Sequence, residues 1–394
     1  MSDISRSPDA IERAEAHAYA SVARQLVVGA KLAGLDALTA GEVDGAPTTI
    51  YDLSGEALFY DFPVIGAGEV IGTIRSAATK ALGAAVVSVA GGAPAWSERQ
   101  ALRLATEALH THTPAARVTG SRLVCYAYPK IAIELSYVVD DTAATELFDA
   151  SSGTTVGSSD DAENQFTRYS MLAHLAEQRE ERVRSFERIG DRLQQISRSA
   201  EPAPAVTPTP RRWPIPVPVI TATSGMVRLS PYCPGSPPGN SHYAQITDYF
   251  CVDASAQMLM EHYGWNYTQN QIAVAMGTTA AAGGTTQAGL TSGFANLTHN
   301  QFNLTFDWGV SRAQQFADAV SEVSGNRPLF TQVPHHYRVC MGYSQVSLDW
   351  IPLEQWLYIY DPWPWNPDLC QPGAPYWESW SSSPVMWFGI VHHA

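Results

Sequence analysis

The sequence predicts an α+β protein built in two halves. Three observations lead there. Residues 201–220 carry seven prolines in Glu-Pro-Ala-Pro-Ala-Val-Thr-Pro-Thr-Pro-Arg-Arg-Trp-Pro-Ile-Pro-Val-Pro-Val-Ile, a composition that favours extended chain over packed structure. Before it, residues 48–156 alternate short apolar runs with glycine turns, the pattern of a small antiparallel sheet. After it, helical periodicities come first and strand patterns second.

The expected organisation is an N-terminal helix over 1–40, a small α+β domain over 41–157, a long amphipathic helix over 158–200, a linker over 201–220 and a second α+β domain over 221–394. Ser7-Pro8-Asp9 has the form of a helix start, and Gly41 that of a stop. Thr48–Leu53, Ala57–Phe62, Glu69–Ile74 and Ala84–Ala90 read as strands, Trp96–Leu109 as a helix, and Leu123–Tyr128 with Ile131–Val139 as a hairpin around Pro129-Lys130. From Ala162 to Ser199, Phe166, Tyr169, Leu172, Leu175, Val183, Phe186, Ile189, Leu193 and Ile196 form one apolar stripe on a Glu/Arg-rich helix. Such a stripe packs on its own chain or on a second copy.

The chain has 394 residues and a formal net charge of −14, which argues against a nucleic-acid partner. No run of about 18 apolar residues suggests a membrane span. Glu12, Arg13, Glu15 and Arg24 precede any apolar run, unlike a secretory signal, so the expected location is cytoplasmic. The five cysteines (Cys125, Cys233, Cys251, Cys340, Cys370) have no metal-ligand spacing. No metal or cofactor is expected. Cys233 and Cys370 lie in Pro/Gly-rich loops and are the one pairing considered, against the reduced state usual inside cells.

In the second half, Cys251 opens the apolar helical run Cys251-Val-Asp-Ala-Ser-Ala-Gln-Met-Leu-Met-Glu-His-Tyr-Gly264. The N–H groups and dipole at a helix N-terminus favour a thiolate. A cysteine nucleophile needs a base, a group that orients the base, and donors for an oxyanion. His336, opening an apolar strand, is the first choice of base, with His335 on the opposite side as the alternative. Asp361, closing Leu357-Tyr-Ile-Tyr-Asp361-Pro-Trp, is the orienting group. Gln245 and the Cys251 N–H are the oxyanion donors. Taken singly, His336 also reads as a core histidine and Asp361 as a turn-forming Asp-Pro.

In combination these residues resemble the papain-like cysteine peptidases, within them the bacterial C39-like group. The matching positions are Gln245, Cys251, Ala254-Ser255, Met258-Leu259, Tyr263-Gly264, Gly283-Gly284-Thr285, Arg327-Pro328, His336-Tyr337, Gly342-Tyr343 and Asp361-Pro362-Trp363. The resemblance implies a papain-like domain that cleaves a peptide or protein substrate with a Cys251–His336–Asp361 triad. One departure is Val252-Asp253, where the group carries Gly-Pro or Trp. A carboxylate there raises the cysteine pKa. The N-terminal part loosely resembles a peptidase prodomain, which implies a precursor restrained by its own first half and released at the linker. Two other functions remain open: a papain-fold acyltransferase, and a catalytically silent binding module using Trp356, Trp363, Trp365, Trp377 and Trp380.

Overall fold

The computed structural model describes residues 7–157, 168–200, 220–227, 242–348, 351–365 and 373–394. The linker up to residue 219 and both Cys233 and Cys370 lie outside them. The fold class is α+β.

In the first half, α1 (Arg13–Gly29) is followed by β1 (Glu42–Val43), β2 (Thr48–Asp52), β3 (Ala57–Gly66), β4 (Glu69–Ala77) and β5 (Val86–Gly91). Then come α2 (Glu98–His112), β6 (Arg117–Ala127), β7 (Lys130–Val139), β8 (Thr142–Asp149), α3 (Met171–His174) and α4 (Arg179–Ala200). The second half contains β9 (Ile220–Met226), α5 (Cys251–His262), α6 (Gln269–Met276), α7 (Gln287–Leu297), β10 (Phe302–Phe306) and α8 (Arg312–Ser324). Its last strands are β11 (Leu329–Val333), β12 (His336–Leu348), β13 (Ile351–Tyr360), β14 (Tyr376–Ser379) and β15 (Trp387–His393).

Two helices depart from the sequence pattern. The first starts at Arg13 rather than at Ser7, because Ser7–Ala10 form a turn closed by the Ala10 N–H on Ser7 O (3.0 Å), and the Ile11 N–H donates to Ala78 O (2.9 Å), which ties this segment to the chain just after β4. It ends at Gly29, and Lys31 adopts φ 53° just beyond. The long charged helix is also interrupted. The Tyr169 N–H donates to Tyr126 O (2.8 Å), and Ser170 caps a fresh helix while its hydroxyl donates to Asp52 (2.6 Å). A short turn then leads into α4, whose apolar stripe packs on its own chain, with Phe186 edge-on to Tyr19 at 5.8 Å.

The strands form one sheet in the order β10-β15-β11-β12-β13-β14-β5-β4-β3-β2-β6-β7-β8, with β1 on β3 and β9 on β12. The first-half strands were expected to be purely antiparallel, but β2 and β6 pair in parallel. That pairing is possible because α2 and the surrounding chain supply the long crossover a parallel pair needs. The seam between halves is the antiparallel pairing of β14 with β5, which sets Trp377 opposite Val89.

Side chains reinforce this seam. Trp377 is fully buried and its indole N–H donates to Ala33 O at 3.0 Å. Arg182 of α4 donates to the carbonyls of Leu82 (3.0 Å), Ser381 (3.2 Å) and Ser382 (3.3 Å). Arg338 and Glu378 form an ion pair at 2.6 Å with both side chains fully buried, and Tyr128 of the first half donates to Glu378 at 2.8 Å. The main apolar core therefore runs without a break from α1 to β15.

Candidate active site

Phe250 precedes α5 without a side-chain cap, so the first N–H groups of the helix face the cysteine that opens it. Cys251 is half-buried. Burial pushes its thiol above the ordinary value. Lys130 and the backbone N–H groups of Tyr337 and Val252 pull the other way, while Asp253 adds to the rise. The carboxylate of Asp253 is itself buried, with Thr278 donating to it at 2.8 Å, and burial raises its pKa to about 7.

The tight turn between β11 and β12 carries His335 at φ 56°. The turn sends His335 and His336 to opposite sides. His336 is fully buried, and its Nε2–H donates to Asp361 Oδ1 at 2.7 Å. Asp361 Oδ1 also accepts the Trp363 N–H (2.9 Å), and Oδ2 accepts the Tyr376 hydroxyl (3.0 Å). Burial lowers the His336 pKa, and Asp361 opposes that. Burial alone would raise the Asp361 pKa, but pairing with His336 brings it below the ordinary value. The imidazole Nδ1 is buried and makes no hydrogen bond. The structure thus brings His336 and Asp361 together, with Cys251 against the next residue, Tyr337. The thiol–imidazole hydrogen bond is not made.

Gln245 is fully buried in the loop before α5, and its backbone N–H donates to Pro362 O at 3.0 Å. Its side-chain amide donates to Thr247 O at 2.7 Å. His335 lies on the other side, in a groove of about 420 Å³ shared with Cys251, Gly283, Thr285, Trp308 and Trp387. Trp308 is the exposed aromatic there, tilted against Trp387 with ring centres 5.2 Å apart. The five tryptophans considered as a ligand platform are not one: Trp356, Trp363, Trp377 and Trp380 are buried. Among the described residues no three His, Cys, Asp or Glu side chains cluster as metal ligands, and no helix is long and apolar enough to cross a membrane.

Several site residues carry no signal in the sequence. His242 is buried beneath the site, its Nε2–H donating to Asp361 O at 2.7 Å, and burial lowers its pKa to about 4. Tyr376 arrives from β14, and Arg338 links it to Glu378 through a 2.9 Å hydrogen bond to its hydroxyl. Lys130 arrives from the first half. The only available cue for these was residue type, since their partners are distant in the chain.

Residues 240–382 match the family model described as the Peptidase_C39 like family. The C-terminal region carries a C39-like peptidase domain. This span takes in α5, the β11–β12 turn, the end of β13 and β14, and with them every residue of the Cys251–His336–Asp361 set. The C39-like domain has a papain-like cysteine peptidase fold. No curated protein gives a significant match to the chain.

Proposed function

We propose that the protein is a cysteine peptidase. Cys251 attacks the scissile carbonyl, His336 carries the proton to the leaving amine, and Asp361 holds the imidazole by its Nε2–H. The Cys251 N–H and the Gln245 amide stabilise the oxyanion, the latter after its amide turns from Thr247. The observation that carries this reading is the 2.7 Å His336–Asp361 pair, set one residue from the backbone N–H that faces Cys251 Sγ at a helix N-terminus. A peptide approaches along the groove lined by Gly283, Trp308 and His335.

The first half acts as an internal restraint, and the chain is made as a self-inhibited precursor. The complete burial of His336 supports this, because the leaving amine must reach the imidazole. The test is turnover of a mixed peptide library by the full chain and by C251A, before and after nicking at Arg211-Arg212. Cleavage that depends on Cys251 and rises on nicking is expected. Cleavage that persists in C251A overturns the peptidase reading.

The buried, unbonded Nδ1 favours a second reading, a papain-fold binding module without turnover. Absence of any Cys251-dependent cleavage after nicking, with peptide binding retained in the groove, would select it. Added amines that appear in the product would select an acyltransferase instead.

A further inference from the structure

The two halves leave a cavity of about 150 Å³ between them, and it shares no lining residue with the Cys251 groove. Its floor is one face of the sheet. Asp61, Arg75 and Ser88 stand side by side on β3, β4 and β5, and Thr73, Ala90 and Tyr376 of β14 form the next row. Directly opposed residues share a face of a sheet, and all six line the cavity. Trp96, just before α2, and Trp363, just after β13, supply the aromatic walls, and Asp361 reaches the same space.

This floor carries polar groups that the fold leaves unused. Arg75 gives its Nε–H and Nη2–H to Asp61 at 2.7 and 2.8 Å, and the Phe59 ring centre lies 4.9 Å from the guanidinium carbon. The Arg75 side chain is only 14 % exposed. Its Nη1 nevertheless makes no hydrogen bond among the described residues, and neither do the hydroxyls of Thr73 and Ser88. A guanidinium edge so nearly buried costs free energy unless something accepts from it. Strand rise and cross-strand spacing set Arg75 roughly 5–7 Å from Thr73 and Ser88. Apolar walls above a few convergent polar groups are the make-up of a small-molecule site.

Size and charge then define what fits. A cavity of this volume takes one six-membered ring. The Arg75 charge is already matched by Asp61. An added anion meets the carboxylates of Asp61 and Asp361, and an added cation meets Arg75 and also Lys130, which lies 4.3 Å from the Trp363 ring centre. The ring is therefore uncharged. A bare aromatic ring offers nothing to Arg75 Nη1, Thr73 and Ser88. A pyranose does, because its rim of hydroxyls both donates and accepts while its C–H face lies against an indole.

We propose that this cavity binds an uncharged pyranose ring, with Arg75, Thr73 and Ser88 on its hydroxyls and Trp96 and Trp363 against its C–H face. No bond is made or broken there. The sugar rests beside Trp363 and Tyr376, whose N–H and hydroxyl hold Asp361, so the site adjoins the candidate triad without using it. The assignment stands apart from the peptidase reading.

The test is calorimetric titration of the full chain with methyl glucoside, methyl galactoside and methyl mannoside. Glucuronate, glucosamine and benzyl alcohol serve as the charged and the non-sugar rings. At least one of the three neutral glycosides should bind saturably, and the other three rings at least about tenfold more weakly than it. T73V/S88A removes both hydroxyls with little change of shape, and its affinity for that glycoside should fall by about tenfold or more, one lost hydrogen bond or two. C251A should bind as wild type does.

No saturable binding by any of the three glycosides overturns the proposal. So does binding of glucuronate, glucosamine or benzyl alcohol as tight as that of the best glycoside. An unchanged affinity in T73V/S88A, or a loss in C251A, overturns it by placing the sugar elsewhere. Should circular dichroism show T73V/S88A unfolded, W96A takes its place with the same expected loss.

Discussion

His336 and Asp361 meet through one short hydrogen bond, from Nε2–H to Oδ1 at 2.7 Å, with both side chains buried. The bond fixes both the tautomer and the ring plane, leaving Nδ1 as the face directed at chemistry. Replacing Asp361 by alanine removes the acceptor but leaves the strand end in place. Peptide turnover by D361A is expected to fall by roughly 10²–10⁴-fold, the range of a general acid–base contribution. D361N, which keeps an acceptor for Nε2–H, should lose less. Steady-state kcat/KM of the nicked enzyme measures both, and equal loss in the two variants would argue against an orienting role.

Behind that pair, Tyr376 donates to Asp361 Oδ2 at 3.0 Å. Y376F removes one of the carboxylate's donors without changing its packing. The expected loss is about 1–3 kcal/mol of stabilisation at a charged acceptor. It should appear as a drop in kcat with KM nearly constant. A change in KM alone would place Tyr376 in substrate binding instead.

The buried Arg338–Glu378 pair joins the two halves through Tyr128. Breaking one side leaves an uncompensated buried charge. R338M is expected to destabilise the chain by about 3–5 kcal/mol in urea denaturation. The double variant R338M/E378L should recover most of that. If the single and double variants unfold at the same urea concentration, the pair is not the source of the effect.

Asp253 sits in the first turn of α5, with its pKa raised by burial to about 7. Its unfolded-state value is about 3.9, so the folded state binds more protons between these limits. Stability from this group is full below about pH 4 and declines as pH rises through about 7. D253N should therefore be more stable than wild type at pH 8, on the order of 2 kcal/mol, with the gain vanishing near pH 4. The same change should speed alkylation of Cys251, because one carboxylate near the sulfur is gone. Urea midpoints measured across pH 4–9 test the first expectation.

Much of this molecule was legible in its sequence where the signals are local. Helices α5, α6, α7 and α8 open at Cys251, Gln269, Gln287 and Arg312, close to where their periodicity and the caps Thr268, Thr286 and Ser311 indicate. The order of Cys251, His336 and Asp361 along the chain was informative because turn and strand signals placed each at an element's end. Strands β10 and β15 carry no hairpin signal, because each is a short run whose partners lie far away in sequence. The break before α4 depends on Asp52, more than a hundred residues earlier, so no local pattern announces it. Lys130 read as a hairpin turn residue. Its contact with the Trp363 ring comes from the seam that joins the halves, a relationship visible only once β5 and β14 are paired.

That pairing also has a consequence for synthesis. β14 is translated about 285 residues after β5, which at roughly 5–20 residues per second is at least about 14 seconds. Throughout that interval the first half has an unfinished sheet edge at Val86–Gly91, with its backbone hydrogen-bonding groups open to other chains. A nascent chain of this protein is thus most exposed to wrong pairing while its second half is still on the ribosome. The ribosome-bound intermediate, rather than the finished protein, is where a holding chaperone would matter most.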